Sequence, residues 1–378
     1  MDNSNNSGFV RMRAGAVLKT VDYYLVVPIM LLTIIGLYVL QKVLSKGYVA
    51  YPGNYYRQIA ATAAGFFVAL VISLLDMHML KVVGRVTYVV SLLLLILVPI
   101  DGYSLAGYWG ADSWLKLPVI GNFQPSELAK IGLIVLAAEI FEAMAKKQLT
   151  LIKGFGIMGA VYAPPLLLIL TQPDFGTAMV ILFTFVCMLF AWGVKYRYFL
   201  LAFSSAVVIL VPAMWTFYLE PYQKERILSL VFKGSDPKAE YNLLQSQYAI
   251  ASGGLSGNKT GIYVTVPVKE SDFIFAAVSE HLGFIGTTAV IILAFFFICR
   301  CLYVASKVHS KAASYCITGL AGYFAFHYIE NLGMSVGLLP ITGIPLPFIS
   351  LGGTAMLINF MAFGIILNIS MSRGRVGG

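Results

Sequence analysis

The sequence predicts an all-α integral membrane protein, a bundle of about ten transmembrane helices, and three observations carry that reading. Hydrophobic residues make up 59% of the 378 positions and charged residues only 11%. The mean hydropathy is +0.83, far outside the range of soluble domains. Nearly charge-free runs recur at about 20 residues, the length an α-helix needs to cross ~30 Å of hydrocarbon, and the alternating segments of a barrel do not occur.

In order, the apolar runs fall at 22–42, 56–75, 83–100, 126–145, 154–171, 175–194, 198–218, 273–303, 312–338 and 348–371. Ten spans put both termini on one side of the membrane. The positive-inside rule makes that side the cytoplasm, because Lys81, Arg85, Lys146, Lys147, Lys195, Arg197, Lys307 and Lys311 then lie on inner connections. The formal charge of +9 is spread singly and in pairs over these connections, so it reads as topology and not as a nucleic-acid surface. Residues 1–21 form a polar cytoplasmic tail without a cleavable signal pattern, and the first span is expected to serve as an uncleaved anchor. Cys187, Cys299, Cys301 and Cys316 all sit inside apolar runs, with neither a disulfide framework nor a metal-ligand spacing.

The chain is therefore read as one polytopic domain, 1–378, whose long connections lie outside. These are 101–125 between the third and fourth spans and the larger 219–272 between the seventh and eighth. Within the larger loop, E-Y-N-L-L-Q-S-Q-Y-A-I-A (240–251) has the spacing of a short amphipathic helix at the interface. Between the last two spans, L-L-P-I-T-G-I-P-L-P-F-I-S-L-G-G-T (338–354) has three prolines and three glycines among apolar residues. This predicts a broken or re-entrant segment, tolerable at membrane depth only where protein satisfies its backbone.

Asp272 marks the changeover from the charged approach P-V-K-E-S-D to the apolar eighth span. Ser271 or Asp272 is a natural cap for the following helix, and Asp272 is equally placed to be a working group; the two roles are compatible. A carboxylate occupied by backbone N–H groups nonetheless makes a poor base. Glu127 and Lys130, in F-Q-P-S-E-L-A-K (123–130), are three residues apart on one helical face at membrane depth. They either line a cavity or form a buried pair. Trp114 reads as an interfacial anchor or a ligand platform, with Lys116 the nearest cation. Arg226 offers a planar fork for phosphate, or is a solvated loop charge. Gln172 and Asp174 form a structural outer turn.

Glu280 and His281 lie two turns into the eighth span, ~12 Å below Asp272. Glu280 is only about 80° around the helix from Asp272, which places it at the border of the same cavity, whereas His281 turns toward a neighbouring helix. In the ninth span His327, Glu330 and Asn331 form an inward polar stripe, read as helix packing.

Taken together, F-Q-P-S-E-L-A-K (123–130), Q-P-D-F-G-T-A (172–178), D-F-I-F-A (272–276), L-G-F-I-G (282–286), N-L-G-M (331–334) and G-L-L-P-I-T-G-I-P-L-P-F-I-S-L-G-G (337–353) resemble the SEDS family (shape, elongation, division and sporulation), of the RodA/FtsW type and closer to RodA. The resemblance implies a peptidoglycan glycosyltransferase of the bacterial plasma membrane that polymerises lipid II at the outer face, in cell-wall elongation and cell shape. It implies a class B penicillin-binding protein as transpeptidase partner, alongside other elongation or division proteins and membrane lipids. The family's catalytic aspartate falls on Asp272, its fourth-helix pair on Glu127 and Lys130, its loop arginine on Arg226 and its tryptophan on Trp114.

The chain departs from the family pattern at Asp112 and Ser113, where basic residues are common, at Glu270 and Ser271 before the catalytic position, at His281 and at Glu330. The implied chemistry has Asp272 deprotonate a sugar 4-hydroxyl as undecaprenyl pyrophosphate departs, inverting an α-linked donor to a β-1,4 bond. Arg226, Lys130, Lys116 and Lys269 are the candidate cations for the pyrophosphate. A divalent cation would serve the same end, and no other cofactor is implied. A lipid II flippase and a non-catalytic scaffold are the competing readings. The first wants substrate-handling groups on the cytoplasmic side, and the second gives no reason for Glu127, Lys130 and Asp272 together.

Overall fold

The computed structural model describes residues 20–45, 52–102, 113–117, 121–172, 174–205, 208, 211–217, 224–225, 228 and 237–375. The helices are α1 (Tyr23–Ser45), α2 (Pro52–Leu74), α3 (Met77–Asp101), α4 (Pro125–Ala145), α5 (Leu151–Thr171), α6 (Phe175–Trp192), α7 (Tyr196–Ser205), α8 (Val211–Phe217), α9 (Pro237–Ser252), α10 (Ile274–Lys307), α11 (Lys311–Val336) and α12 (Gly353–Arg375). A small hairpin, β1 (Leu115–Leu117) and β2 (Gly121–Phe123), pairs antiparallel with Leu115 opposite Phe123.

Local chemistry sets many of these boundaries. Asp76 caps α3 by accepting from Met79 N–H at 2.7 Å, Pro125 occupies the first turn of α4, and Asp174 caps α6 through Thr177 N–H at 3.0 Å. Gly193 and Gly337 end α6 and α11 in the left-handed conformation.

Seven of the helices, α1, α2, α3, α5, α6, α10 and α12, are long and apolar enough to cross a membrane. The α12 window differs from the rest: 94% of it is buried inside the protein, against 28–44% for the others. It is packed along α2 and touched by α4, α10, α11 and β2. Beside it runs an aromatic column in which Phe297 meets Phe324, Phe324 stacks on Phe348 and Phe348 meets Phe360 edge-on. Each such pair adds ~0.5–1.5 kcal/mol beyond area burial. Arg300 of α10 grips Asp22 with three hydrogen bonds of 2.7–3.2 Å, and Ser370 of α12 donates to the same carboxylate.

Two of the sequence-predicted spans differ in form. The run at 198–218 is divided between α7 and α8, and the run at 273–303 extends to Lys307 but is broken inside. The break is at Gly283, with φ +67 and ψ −163. The N–H groups of Phe284 and Ile285, which lose their helical acceptors there, donate to Gly254 O at 2.8 Å and Leu255 O at 3.1 Å. The Gly-rich stretch 252–258 thus stands in for a turn of helix. A Cβ on Gly283 would lie 2.5 Å from the Gly257 nitrogen, so the site requires glycine for both conformation and space.

Candidate active site

Asp272 is half-buried on a tight turn just before α10. The N–H groups of Ser271, Asp272 and Phe273 all point at Val268 O, at 3.2, 3.1 and 3.3 Å. Val268 itself has φ +54, and Phe348, across the site, has φ +64; the third non-glycine residue with positive φ among the described residues is Lys147. A bulky side chain in this region stores ~1–3 kcal/mol and persists only where surroundings enforce it. The residue at the cap position of α10 is Phe273, whose side chain makes no capping bond. Ser271 Oγ donates to Asp272 Oδ1 at 3.0 Å. Gly343, at φ +76, lies over the carboxylate, and a Cβ there would come within 3.3 Å of Oδ2.

The carbonyls of this turn are held by the last third of the chain. Glu270 O accepts from Leu351 N–H at 2.8 Å, Ser271 O from Ser350 Oγ at 2.7 Å, and Asp272 O from Asn331 Nδ2 at 2.8 Å. Asn331 Nδ2 donates also to Ile344 O at 2.8 Å. The 338–354 segment is in turn bound by side chains, as buried non-helical backbone must be. His327 and Tyr328 of α11 donate to Pro345 O and Pro347 O, both at 3.1 Å. Thr342 Oγ1 donates to Glu330 at 2.8 Å. From α2, Gln58 donates to Ser350 O at 3.0 Å and accepts from Gly352 N–H at 3.1 Å. The polar stripe on α11, expected to serve helix packing, is what fastens the re-entrant segment to the Asp272 turn.

Two buried ion pairs flank this assembly. Lys130 Nζ donates to Glu127 Oε1 at 2.7 Å and meets His327 Nε2 at 3.2 Å, over the Tyr323 ring. Since Pro345 O can only accept, Nδ1 carries the imidazole proton, and Nε2 is left to accept from Lys130. Tyr323 closes the cluster by donating to Asn359 Oδ1 at 2.8 Å. The second pair is Lys269 with Glu280. Lys269 Nζ also donates to Val264 O at 2.9 Å, and Val264 N–H donates to Glu280 Oε1 at 2.6 Å.

Glu280 is wholly buried and does not border an open cavity; it pins the approach to Asp272 from beneath. Lys130 and Lys269 are likewise already committed to carboxylates, so neither offers a free ammonium to a phosphate. His281 lies against Tyr263, in the segment between α9 and α10, with ring centroids 4.7 Å apart.

Lys116 is exposed on β1, and Trp114 beside it is partly buried. The hairpin is tied to the site through Thr354 Oγ1, which donates to Asn122 O at 2.8 Å. Gln124 Nε2 reaches Asp174 Oδ2 at 3.1 Å, joining the starts of α4 and α6. Arg226 and Asp112 lie outside the described residues. Among the described residues no group of three or more His, Cys, Asp or Glu is placed to hold a metal ion. Sequence reasoning missed Gln58, Tyr323, Ser350 and Asn359. A lone glutamine in an otherwise charge-poor helix was the one signal that could have exposed Gln58.

Comparison with known proteins places these motifs in a family. Residues 20–375 match the FtsW/RodA/SpoVE family, described as cell cycle protein. The chain is 31% identical over 327 residues to the peptidoglycan glycosyltransferase MrdB of Escherichia coli K12, covering 84% of this chain and 85% of MrdB. It is 31% identical over 324 residues to the stage V sporulation protein E of Bacillus subtilis 168, covering 83% and 86%. In three dimensions it resembles a chain from a solved peptidoglycan synthase complex, described for its structural coordination of polymerization and crosslinking. The TM-score is 0.80 at 29% identity, with 93% of this chain and 98% of that one covered. With residues 20–375 matched by the family model, this chain belongs to the FtsW/RodA/SpoVE family.

Proposed function

We propose that this multi-pass membrane protein is a peptidoglycan glycosyltransferase that polymerises lipid II at the outer face of the plasma membrane, with Asp272 as general base. The observation that carries the reading is the Asp272 turn, whose three consecutive carbonyls are each held by a donor from 331–351 while the residue stays partly exposed. A general base needs such fixed geometry with its oxygens in reach of the proton it takes. Asp272 removes the proton from the 4-hydroxyl of one lipid-linked disaccharide. That oxygen attacks the anomeric carbon of another chain's reducing end, and undecaprenyl pyrophosphate leaves from the opposite face, giving a β-1,4 bond by one inversion.

Lys116, exposed beside Trp114, and Arg226 are the cations assigned to the pyrophosphate. Glu127, Lys130, Lys269 and Glu280 act on the framework that presents Asp272, since each is occupied by a partner. In this reading the chain crosses ten times with both termini inside, α7 and α8 forming the seventh crossing. It works in cell-wall elongation beside a class B penicillin-binding protein.

The test is to give the purified full-length protein, alone and with the transpeptidase, labelled lipid II. Glycan polymer that disappears with Asp272→Ala, at unchanged melting temperature, is expected. Ordinary polymer from that variant overturns the assignment. Translocation of lipid II in liposomes without polymer would point to a flippase.

A further inference from the structure

Asn331 is fully buried, and its side chain is used in an unequal way. Nδ2 spends both hydrogens on carbonyls, Asp272 O and Ile344 O, each at 2.8 Å. Both partners can only accept, so the amide cannot be turned around. Oδ1 is consequently held in the interior with no hydrogen-bond partner. Leaving a buried acceptor unsatisfied is unfavourable, and an amide retained at that cost needs a use for its two donors.

Other contacts already secure the re-entrant segment to α11, through His327, Tyr328 and Glu330. Among the described residues, what Asn331 adds is the bond to the carbonyl of Asp272 itself, 59 residues away in sequence.

We infer that Asn331 is a positioning residue for the reaction: by holding Asp272 O and Ile344 O on one nitrogen, it fixes the distance between the base and the segment that covers it. Ile344 follows Gly343, which overlies the Asp272 carboxylate, so one amide sets both the floor and the roof of that side chain's space. The inference rests on Asp272 being the base. Loss of Asn331 leaves lipid II binding intact and moves the carboxylate, so it acts on turnover and not on substrate affinity.

The experiment compares Asn331→Leu, which keeps the branched shape while removing both donors and the unsatisfied oxygen, with Tyr328→Phe, which removes a bond to the same segment without touching Asp272. Both are made in the full-length protein and assayed for glycan polymerisation over a range of lipid II concentrations, with melting followed in the same detergent. Asn331→Leu is expected to lower kcat by about a hundredfold with KM within about threefold, while Tyr328→Phe keeps kcat within about threefold. In an Asp272→Ala background Asn331→Leu should cause no further loss.

A kcat for Asn331→Leu within threefold of the unaltered protein overturns the inference. So does a kcat that falls only in step with the melting temperature, or a fall matched by Tyr328→Phe. If Asn331→Leu does not fold, Asn331→Ser decides, since its one hydroxyl retains a single donor and should give an intermediate kcat at unchanged KM; a kcat equal to that of the unaltered protein would again count against the inference. If Asp272→Ala polymerises normally, the catalytic assignment has failed, whereas an inactive Asp272→Ala beside a fully active Asn331→Leu removes the positioning role alone.

Discussion

Residues 274–282 and residues 284–307 belong to one continuous apolar run, yet the structure treats them as different materials. Every residue from Ile274 to Glu280 is buried in protein. Past Gly283, Phe284, Ile285, Ile292 and Phe295 are all more than half exposed, forming surface for lipid to cover. The short segment carries the Asp272 turn and a buried carboxylate bound to Lys269; the long one carries no charge until Arg300. Hydropathy cannot separate the two, because a side chain leaves water equally whether protein or lipid receives it. What separates them is hydrogen bonding: the first segment is bound to loops on several sides, whereas the second, past the Phe284 and Ile285 N–H groups that reach Gly254 O and Leu255 O, satisfies its backbone within its own helix.

Substitutions in the two segments should therefore differ by orders of magnitude. The largest effect is expected from Asp272→Ala, at the head of the protein-buried segment. If Asp272 is the general base proposed above, its loss should lower polymerisation by ~10²–10⁴-fold, measured by glycan product from labelled lipid II. Next comes Glu280→Ala, which strands the Lys269 ammonium in the interior and should destabilise by ~3–5 kcal/mol. The double variant Glu280→Ala with Lys269→Met should recover much of this in thermal unfolding, and a recovery near zero would mean the pair is not coupled. Gly283→Ala, at the boundary, forces a side chain into a left-handed residue against the Gly257 backbone, and a loss of ~1–3 kcal/mol is expected with faster proteolysis at 252–258. Phe295→Ala, on the lipid-facing segment, should change stability by less than about 1 kcal/mol in bilayers, because lipid fills the vacated space. A loss as large as that from Glu280→Ala would erase the distinction between the segments.

The same distinction marks what the sequence could disclose. The apolar runs announced most helices, and the prolines and glycines of 338–354 announced a segment that could not be an ordinary span. Asp272 stood out because a carboxylate at the changeover is rare. Glu280 was misplaced because helical geometry gives an angle around the axis and says nothing of which loop lies outside it; Val264 and Lys269 reach it from the approach segment. His327, Glu330 and Asn331 were legible as an inward stripe, but not as the fastening of a segment, since their acceptors are mostly backbone carbonyls that any sequence could supply. L-G-F-I-G was visible as a motif, whereas the break inside it depends on Gly254 and Leu255 of an earlier loop, which supply the missing acceptors.

The capture of residues 270–272 by residues 331–351 also has a consequence for how the protein is made. Membrane proteins enter the bilayer from the N-terminus as they are synthesised, so Asp272 emerges well before the donors that hold its turn. Until Asn331, Ser350 and Leu351 have been translated and folded back, the carboxylate has no fixed place, and a nascent or truncated chain should be inert toward substrate already present in the membrane. On the proposed function, competence would arrive only with α12, making completion of synthesis itself the step that switches the proposed active site on.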